Sequence, residues 1–313
     1  MNMIMKNTIT TTYEGPDLDG YGCAVAYAEL LRKQGRDAVA CVWGKPQLEV
    51  LWLIQTFHLT TAKASVNDVM ADVVLLDASS PEELPTPLQS KQVIEIIDHR
   101  KIHKADAFPN AKQQIELVGA AATLVAERFV EAHMEPSKES ALFLLGGILS
   151  NTQNFSAIAT DRDRAMADWL WSISNAPADL ARQMFLAKSD LSGVRLKEIM
   201  FGDFKTLCLQ GKKVTIAQIE MIGVQNLFET RKDEIEELLN QIHEKEQSDF
   251  TFINMKDLDT GIANIVCLDQ ATVDLLADLP GVTWNRLVGQ STQLTLRKQL
   301  SSWILEKLSK EGE

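Results

Sequence analysis

At 313 residues the chain is longer than one ordinary domain, so two units are the natural expectation. Hydrophobic residues make up 45% and charged residues 24%, the balance of a globular protein with enough apolar chain to bury a core in either half. A formal net charge of -12 excludes the basic footprint of a duplex nucleic-acid binder. A small anionic substrate remains compatible with it, because a few clustered cations or bound metals reverse the field inside a cleft.

Residues 1–12 hold one lysine and no long apolar core, unlike a secretory leader. Residues 8–12 are mostly β-branched and read as a strand that breaks at Gly15-Pro16. Small and apolar residues at helical spacing follow over 20–36, and 37–43 returns to a strand pattern. Residues 73–76 and 93–97 are continuous or nearly continuous apolar runs, each followed by an aspartate, as in strands of a parallel sheet buried on both faces. Helical spacing then covers 120–131, 138–150 and 161–173, with Thr160 and Asp163 forming a cap on the last, and a shorter helix covers 177–187. The apolar stretch 141–149 is too short to span a bilayer, so no membrane role is expected.

The polar segment 188–193 reads as a linker, which divides the chain into domains at 1–187 and 194–313. In the second, 213–218, 250–255 and 262–267 read as strands and 229–246 as an amphipathic helix, with Lys212 and Lys213 at a solvated strand edge. The fold class is α/β: an N-terminal, mainly parallel sheet flanked by helices, plus a smaller C-terminal α+β domain. The four cysteines, Cys23, Cys41, Cys208 and Cys267, form no C-x-x-C pair and read as free thiols of a cytoplasmic protein.

Three acidic clusters follow strand-like runs: Asp17 with Asp19, Asp77, and Asp98 with His99 and Arg100. Each aspartate alone is read most simply as a turn or cap residue. Together they point to one place, because ligands gather beyond the carboxyl ends of the strands in an open parallel sheet. Carboxylates with one imidazole suit divalent ions such as Mn²⁺ or Mg²⁺. The P-loop, dinucleotide and nucleophile-elbow patterns are missing.

These clusters carry a resemblance. Pro16-Asp17-Leu18-Asp19-Gly20, Leu75-Leu76-Asp77 and Ile96-Ile97-Asp98-His99-Arg100 resemble the first three motifs of the DHH phosphoesterase superfamily, and Leu145-Gly-Gly-Ile-Leu-Ser-Asn-Thr152 sits where the fourth belongs. Lys188-Ser-Asp-Leu-Ser, Lys205, Gly211-Lys-Lys-Val-Thr-Ile-Ala-Gln218 and Arg297-Lys-Gln299 resemble the DHH-associated C-terminal domain of family II (manganese-dependent) inorganic pyrophosphatases. The Asp-His-Arg form of the third motif resembles the exopolyphosphatase and Prune branch most. The resemblance implies a hydrolase of phosphoanhydride or phosphoester bonds, in which a metal-activated water attacks phosphorus. It implies divalent metal, Mn²⁺ first and Mg²⁺ or Co²⁺ besides, on Asp17, Asp19, Asp77, His99 and Asn151. Asp98 and Arg100 are then catalytic, with Asp98 orienting the site. Arg100, Lys205, Arg297 and Lys298 bind the substrate, the last three brought in by closure of the C-terminal domain. A homodimer is implied as well.

The chain departs from the family pattern at four places. Tyr13 stands where family II pyrophosphatases have a histidine, Arg100 where they have a second histidine, Asn151 in place of the fourth-motif aspartate, and Leu296 where an arginine is expected. These departures raise a second reading, a phosphate-binding or regulatory protein that has lost catalysis. A third, a nanoRNase-like phosphodiesterase, is encouraged by Asp19-Gly20 and disfavoured by the acidic charge.

Overall fold

The computed structural model describes residues 7–64, 71–101, 103–155, 158–191, 195–292 and 297–311. The chain divides into two compact units, Met1–Ala187 and Lys188–Glu313.

In the first unit the strands are β1 (Thr8–Thr11), β2 (Ala38–Ala40), β3 (Asp72–Leu76), β4 (Val93–Asp98) and β5 (Lys112–Ile115). All four residues of β1 are β-branched and buried, which suits a strand covered on both faces. The strands lie in the order β2-β1-β3-β4-β5, and every pairing is parallel. With this order the winding reverses between β1 and β3, and the crevice at such a switch point is where ligands bind in open α/β sheets. The expected strand over 37–43 is shorter, because Cys41 makes only an isolated bridge to Lys63.

The helices of this unit are α1 (Leu18–Lys33), α2 (Leu48–Phe57), α3 (Ala121–Glu131), α4 (Lys138–Asn151), α5 (Asp161–Ser174) and α6 (Leu180–Lys188). α1 and α4 pack closely through glycine. A Cβ at Gly22 would lie 2.8 Å from the Phe143 carbonyl oxygen, and one at Gly147 would lie 3.0 Å from Asp19 Cα. This approach sets the last turn of α4, with Asn151, beside the first turn of α1, with Asp19. At α5 the cap read from the sequence is present. The Thr160 hydroxyl accepts from the Asp163 N–H, and the Asp163 carboxylate accepts from the Thr160 N–H at 2.7 Å.

The second unit is one mixed sheet with helices on both faces. Its elements are α7 (Arg195–Gly202), β6 (Phe204–Leu209), β7 (Lys212–Met221), α8 (Val224–Glu246), β8 (Phe250–Asp257), β9 (Ala263–Cys267), α9 (Gln270–Leu276), β10 (Val282–Asn285), β11 (Val288–Ser291) and α10 (Arg297–Glu311). The strand order is β10-β11-β9-β8-β7-β6, parallel only between β7 and β8. Alternate residues of β8 explain the layering: Ile253 and Met255 pack with α7 and α8, while Phe252 packs with α9 and α10.

Lys212 and Lys213 open β7, an inner strand. Both are exposed, as expected, but the sheet edge belongs to β6, which has a neighbour on one side only. In the segment read as a linker, Lys188 closes α6, while Ser192 and Gly193 lie outside the described residues. No described helix is long and apolar enough to cross a membrane.

Asp257 pins the start of α8. Its carboxylate accepts from the Gly223 and Val224 N–H groups, each at 2.9 Å, and from those of Asp259 and Thr260, each at 3.0 Å. Burial alone would raise its pKa, but the four donors favour the charged form and hold it below the ordinary aspartate value. A depressed carboxylate stabilises the fold fully above the unfolded pKa of about 3.9, and that contribution is lost as pH falls through the lower folded value. Asp257→Ala should therefore cost on the order of 1–3 kcal/mol at neutral pH. It should also flatten the acid limb of a denaturant-midpoint against pH curve; an unchanged acid limb would refute this role.

Candidate metal centre

Three segments deliver the site. Asp19 lies in the first turn of α1, which starts beyond β1; Asp77 follows β3; Asp98 ends β4, with His99 next to it. The Asp19 carboxylate is wholly buried and sits at the N-terminus of α3, accepting from the Ala121 N–H at 2.8 Å and the Ala122 N–H at 2.7 Å. The residue at the cap position of α3 is Ala120, which has no side chain to give, so Asp19 supplies the missing acceptor from another element. Asp77 adopts a left-handed backbone at φ 51, held by its N–H to the Ile97 carbonyl at 2.9 Å. A non-glycine residue in that region is strained, and such strain persists where the surroundings fix it.

His99 Nδ1 lies 3.0 Å from the Val118 carbonyl oxygen, which can only accept. That contact places a proton on Nδ1 and turns Nε2 toward the carboxylates, the orientation of a ligating imidazole. Nε2 stands 3.4 Å from Asp77 Oδ1 and 3.8 Å from Asp19 Oδ2. The three ligand atoms lie within 4.8 Å of one another. Ligands about 2.1 Å from a Mg²⁺-sized ion sit about 3 Å apart in cis, so a small contraction would close the set. Asp77 Oδ1 is buried and takes no well-aligned hydrogen bond among the described residues. The residues therefore fit a divalent ion: an orphaned carboxylate oxygen and an oriented imidazole face the same point.

The electrostatics agree. Burial raises the Asp19 carboxyl to about 6, against the pull of His99 and the two α3 N–H groups. Asp77 is driven well above the carboxylate range by burial and by the Asp19 charge. Burial would lower the His99 imidazole, but Asp77 and Asp19 outweigh it and push it up to about 10. Two buried carboxylates that repel one another are the setting in which a bound cation relieves the most strain.

The other residues singled out in the sequence are placed differently. Asp17 is the N-cap of α1, accepting from the Gly20 N–H at 3.0 Å, and it lies outside the close trio. Asp98 is fully buried and accepts from the Ser79 hydroxyl and, at 2.7 Å, from the His99 N–H. Its contact with His99 is to the main-chain N–H, and it stands outside the trio. Asn151 was expected to offer an oxygen, yet its amide nitrogen donates to Asp19 Oδ2 at 2.6 Å and lies 3.3 Å from His99 Nε2. Arg100 was expected to hold a phosphate. Its guanidinium bonds Glu83 and, at 2.8 Å, the Asp77 carbonyl oxygen, and it lies over the Tyr13 ring. The Tyr13 hydroxyl accepts from the Asp17 N–H at 3.3 Å, and burial raises its pKa far beyond the phenol range, so it stays neutral.

In the second unit, Lys205 is exposed on β6 and has no ion-pair partner among the described residues. Arg297, at the start of α10, pairs with Asp203 at 2.6 Å. Leu296 lies outside the described residues, as does the side chain of Lys298.

Sequence reading missed two supports. Glu83 anchors Arg100 and caps its own turn through the Ser79 and Ser80 N–H groups, at 3.0 and 3.1 Å. Asp163 was read as a cap alone, but its buried carboxylate also accepts from the Gly119 N–H at 2.9 Å and the Thr123 hydroxyl at 2.5 Å. It thereby fixes the loop whose Val118 carbonyl aims His99. The only local clue to Asp163 was its capping spacing with Thr160.

Comparison with known proteins extends the resemblance beyond the motifs. Residues 182–299 match the DHHA2 domain. The chain is 28% identical over 255 residues to a manganese-dependent inorganic pyrophosphatase of Methanothrix thermoacetophila, covering 80% of this chain and 82% of that protein. It is 28% identical over 241 residues to a Listeria innocua protein assigned the same activity, covering 76% and 78%. Among solved structures, a Methanococcus jannaschii protein assigned to family II inorganic pyrophosphatases superposes with a TM-score of 0.73 at 22% identity, covering 96% of this chain and 99% of that one. An exopolyphosphatase-related protein of Bacteroides fragilis gives 0.50 at 13%, covering 97% and 92%. These two structures share the fold.

Asp163→Ala should leave the Gly119 and Thr160 N–H groups without their acceptor and cost about 1–3 kcal/mol. Asp163→Asn, which keeps one acceptor oxygen, should lose less. Thermal unfolding of both variants checks the order; equal stability of Asp163→Ala and the parent would contradict the bracing role.

Proposed function

We propose that the chain is a divalent-metal-dependent phosphohydrolase acting on phosphoanhydride or phosphoester bonds of small anionic substrates. The observation that carries the reading is the convergence of Asp19, Asp77 and His99 at the switch point of a parallel sheet. The similarity to manganese-dependent inorganic pyrophosphatases over four fifths of the chain supports it. Mn²⁺ is the first choice of ion, with Mg²⁺ and Co²⁺ next. Pyrophosphate, short-chain polyphosphate and small phosphoesters are the substrates to test. A cytoplasmic homodimer belongs to the same reading.

The roles divide by chemistry. Asp19, Asp77 and His99 would hold the ion, which supplies a lowered water pKa and screens phosphate charge when bound. Asp17 caps the helix that carries Asp19. Asp98 is a positioning residue that acts through His99. Arg100 keeps a fixed positive charge at the site, and Lys205, Arg297 and Lys298 are the cations assigned to phosphoryl oxygens.

A second reading, a phosphate-binding protein without turnover, draws on two contacts. The Asn151 amide nitrogen occupies an Asp19 oxygen that a ligand set would use, and Tyr13 offers a neutral phenol.

The deciding experiment is phosphate release at neutral pH from pyrophosphate, tripolyphosphate, longer polyphosphate and a chromogenic phosphodiester, each with Mn²⁺, Co²⁺ or Mg²⁺. Metal-dependent release is expected, reduced more than about a hundredfold in Asp77→Ala. Phosphate binding without release from any substrate would transfer the case to the second reading. Release unaffected by Asp77→Ala would place the chemistry elsewhere.

A further inference from the structure

We infer that this centre takes one divalent ion per chain and that the Arg100 guanidinium serves as its fixed second positive charge. The inference rests on the metal-dependent reading above and specifies how many ions that reading needs.

The argument begins with the ligand atoms. Only Asp19, Asp77 and His99 form a group of ligand atoms close enough for one ion among the described residues. A second ion would need a further set of ligand atoms converging on one point, and the trio is the one close His/Cys/Asp/Glu group among the described residues. The neighbouring groups face other partners. Asp17 gives an oxygen to the α1 N-terminus. Asp98 is taken by the Ser79 hydroxyl and the His99 N–H. Glu83 is taken by the Ser79 and Ser80 N–H groups and by Arg100. Asn151 presents a donor, and a donor on Asp19 Oδ2 competes with a cation for the same oxygen. The Tyr13 hydroxyl is directed at the Asp17 backbone, accepting from its N–H.

The second part concerns charge. Asp98 and Glu83 add carboxylate charge beyond what one ion on Asp19 and Asp77 balances, and so call for a second cation nearby. Here Arg100 fills that place. Its Nη2 accompanies the Asp77 carbonyl oxygen at 2.8 Å and Asp77 Oδ1 at 3.8 Å, its Nε lies 3.8 Å from Asp98 Oδ1, and its Nη1 closes on Glu83. The guanidinium thus touches three carboxylates from three segments, and the Tyr13 ring lies 5.7 Å below it. A planar group with five fixed donors can satisfy such an array and cannot be deprotonated there. Arginine cannot ligate a metal, so the place it occupies is closed to one.

The test measures metal content of the full chain saturated with Mn²⁺, by equilibrium dialysis with elemental analysis, together with electron paramagnetic resonance. The expected result is one Mn²⁺ per chain with the six-line spectrum of an isolated ion. Arg100→Gln and Arg100→His, each shown to be folded by circular dichroism, should rise to two ions, the histidine variant with an exchange-coupled spectrum. Arg100→Lys should stay at one. Two ions on the parent chain would overturn the inference and leave the hydrolase reading standing. No ion would remove both. One ion on a folded Arg100→His variant would overturn the role given to Arg100.

Discussion

The Asp19 carboxylate is completely buried, and a buried charge is tolerated only where hydrogen bonds and opposite charge compensate it. Here compensation comes from the first two N–H groups of α3, from the Asn151 amide and from the imidazole of His99. These donors come from three elements, so the carboxylate is compensated where α1, α3, α4 and the end of β4 meet at one point. The glycine contacts between α1 and α4 permit that meeting, since a side chain at Gly147 would press on Asp19 itself.

From that point the site extends outward in layers that each settle one orientation. Asp163 holds the loop at Gly119, the loop aims the Val118 carbonyl, and the carbonyl fixes which nitrogen of His99 faces the carboxylates. Asp98, gripped by Ser79, sets the backbone of His99 from the other side. Asp77 is kept in a left-handed conformation between the Ile97 carbonyl and Arg100, so its Oδ1 faces His99 Nε2 at a cost the surroundings cover. Positions that look like departures from a hydrolase pattern, Tyr13, Arg100 and Asn151, make contacts that fit together. The ring lies under the guanidinium, the guanidinium lies among carboxylates, and the amide sits between Asp19 and His99.

Much of this was legible in the sequence for physical reasons. Val73, Val74, Leu75 and Leu76 form an apolar run that suits a strand covered on both faces, and its following aspartate falls at the carboxyl end of a parallel sheet. Three such aspartate clusters point to the crevice beyond the strand ends. Thr160 and Asp163 announced the start of α5 through capping spacing. Other features left no local trace. β5 reads Lys-Gln-Gln-Ile, an edge strand without apolar alternation, and its pairing to β4 alone defines it. The pairing of Arg100 with Glu83 joins residues on separate segments, so no local spacing announces it. Asn151 could be placed at the site from its motif position, but the direction of its amide depends on where Asp19 and His99 stand. Lys205 and Arg297 were picked by motif position, and Arg297 carries the additional tie to Asp203 that no spacing suggested.

The central claim is that Asp19, Asp77 and His99 form a divalent metal centre. Anomalous diffraction at the manganese absorption edge, from crystals grown with Mn²⁺, tests it most directly. The account predicts a strong anomalous peak within ligand distance of His99 Nε2, Asp77 Oδ1 and an Asp19 carboxylate oxygen. A map with full-occupancy manganese elsewhere on the chain and none at these three atoms would contradict it.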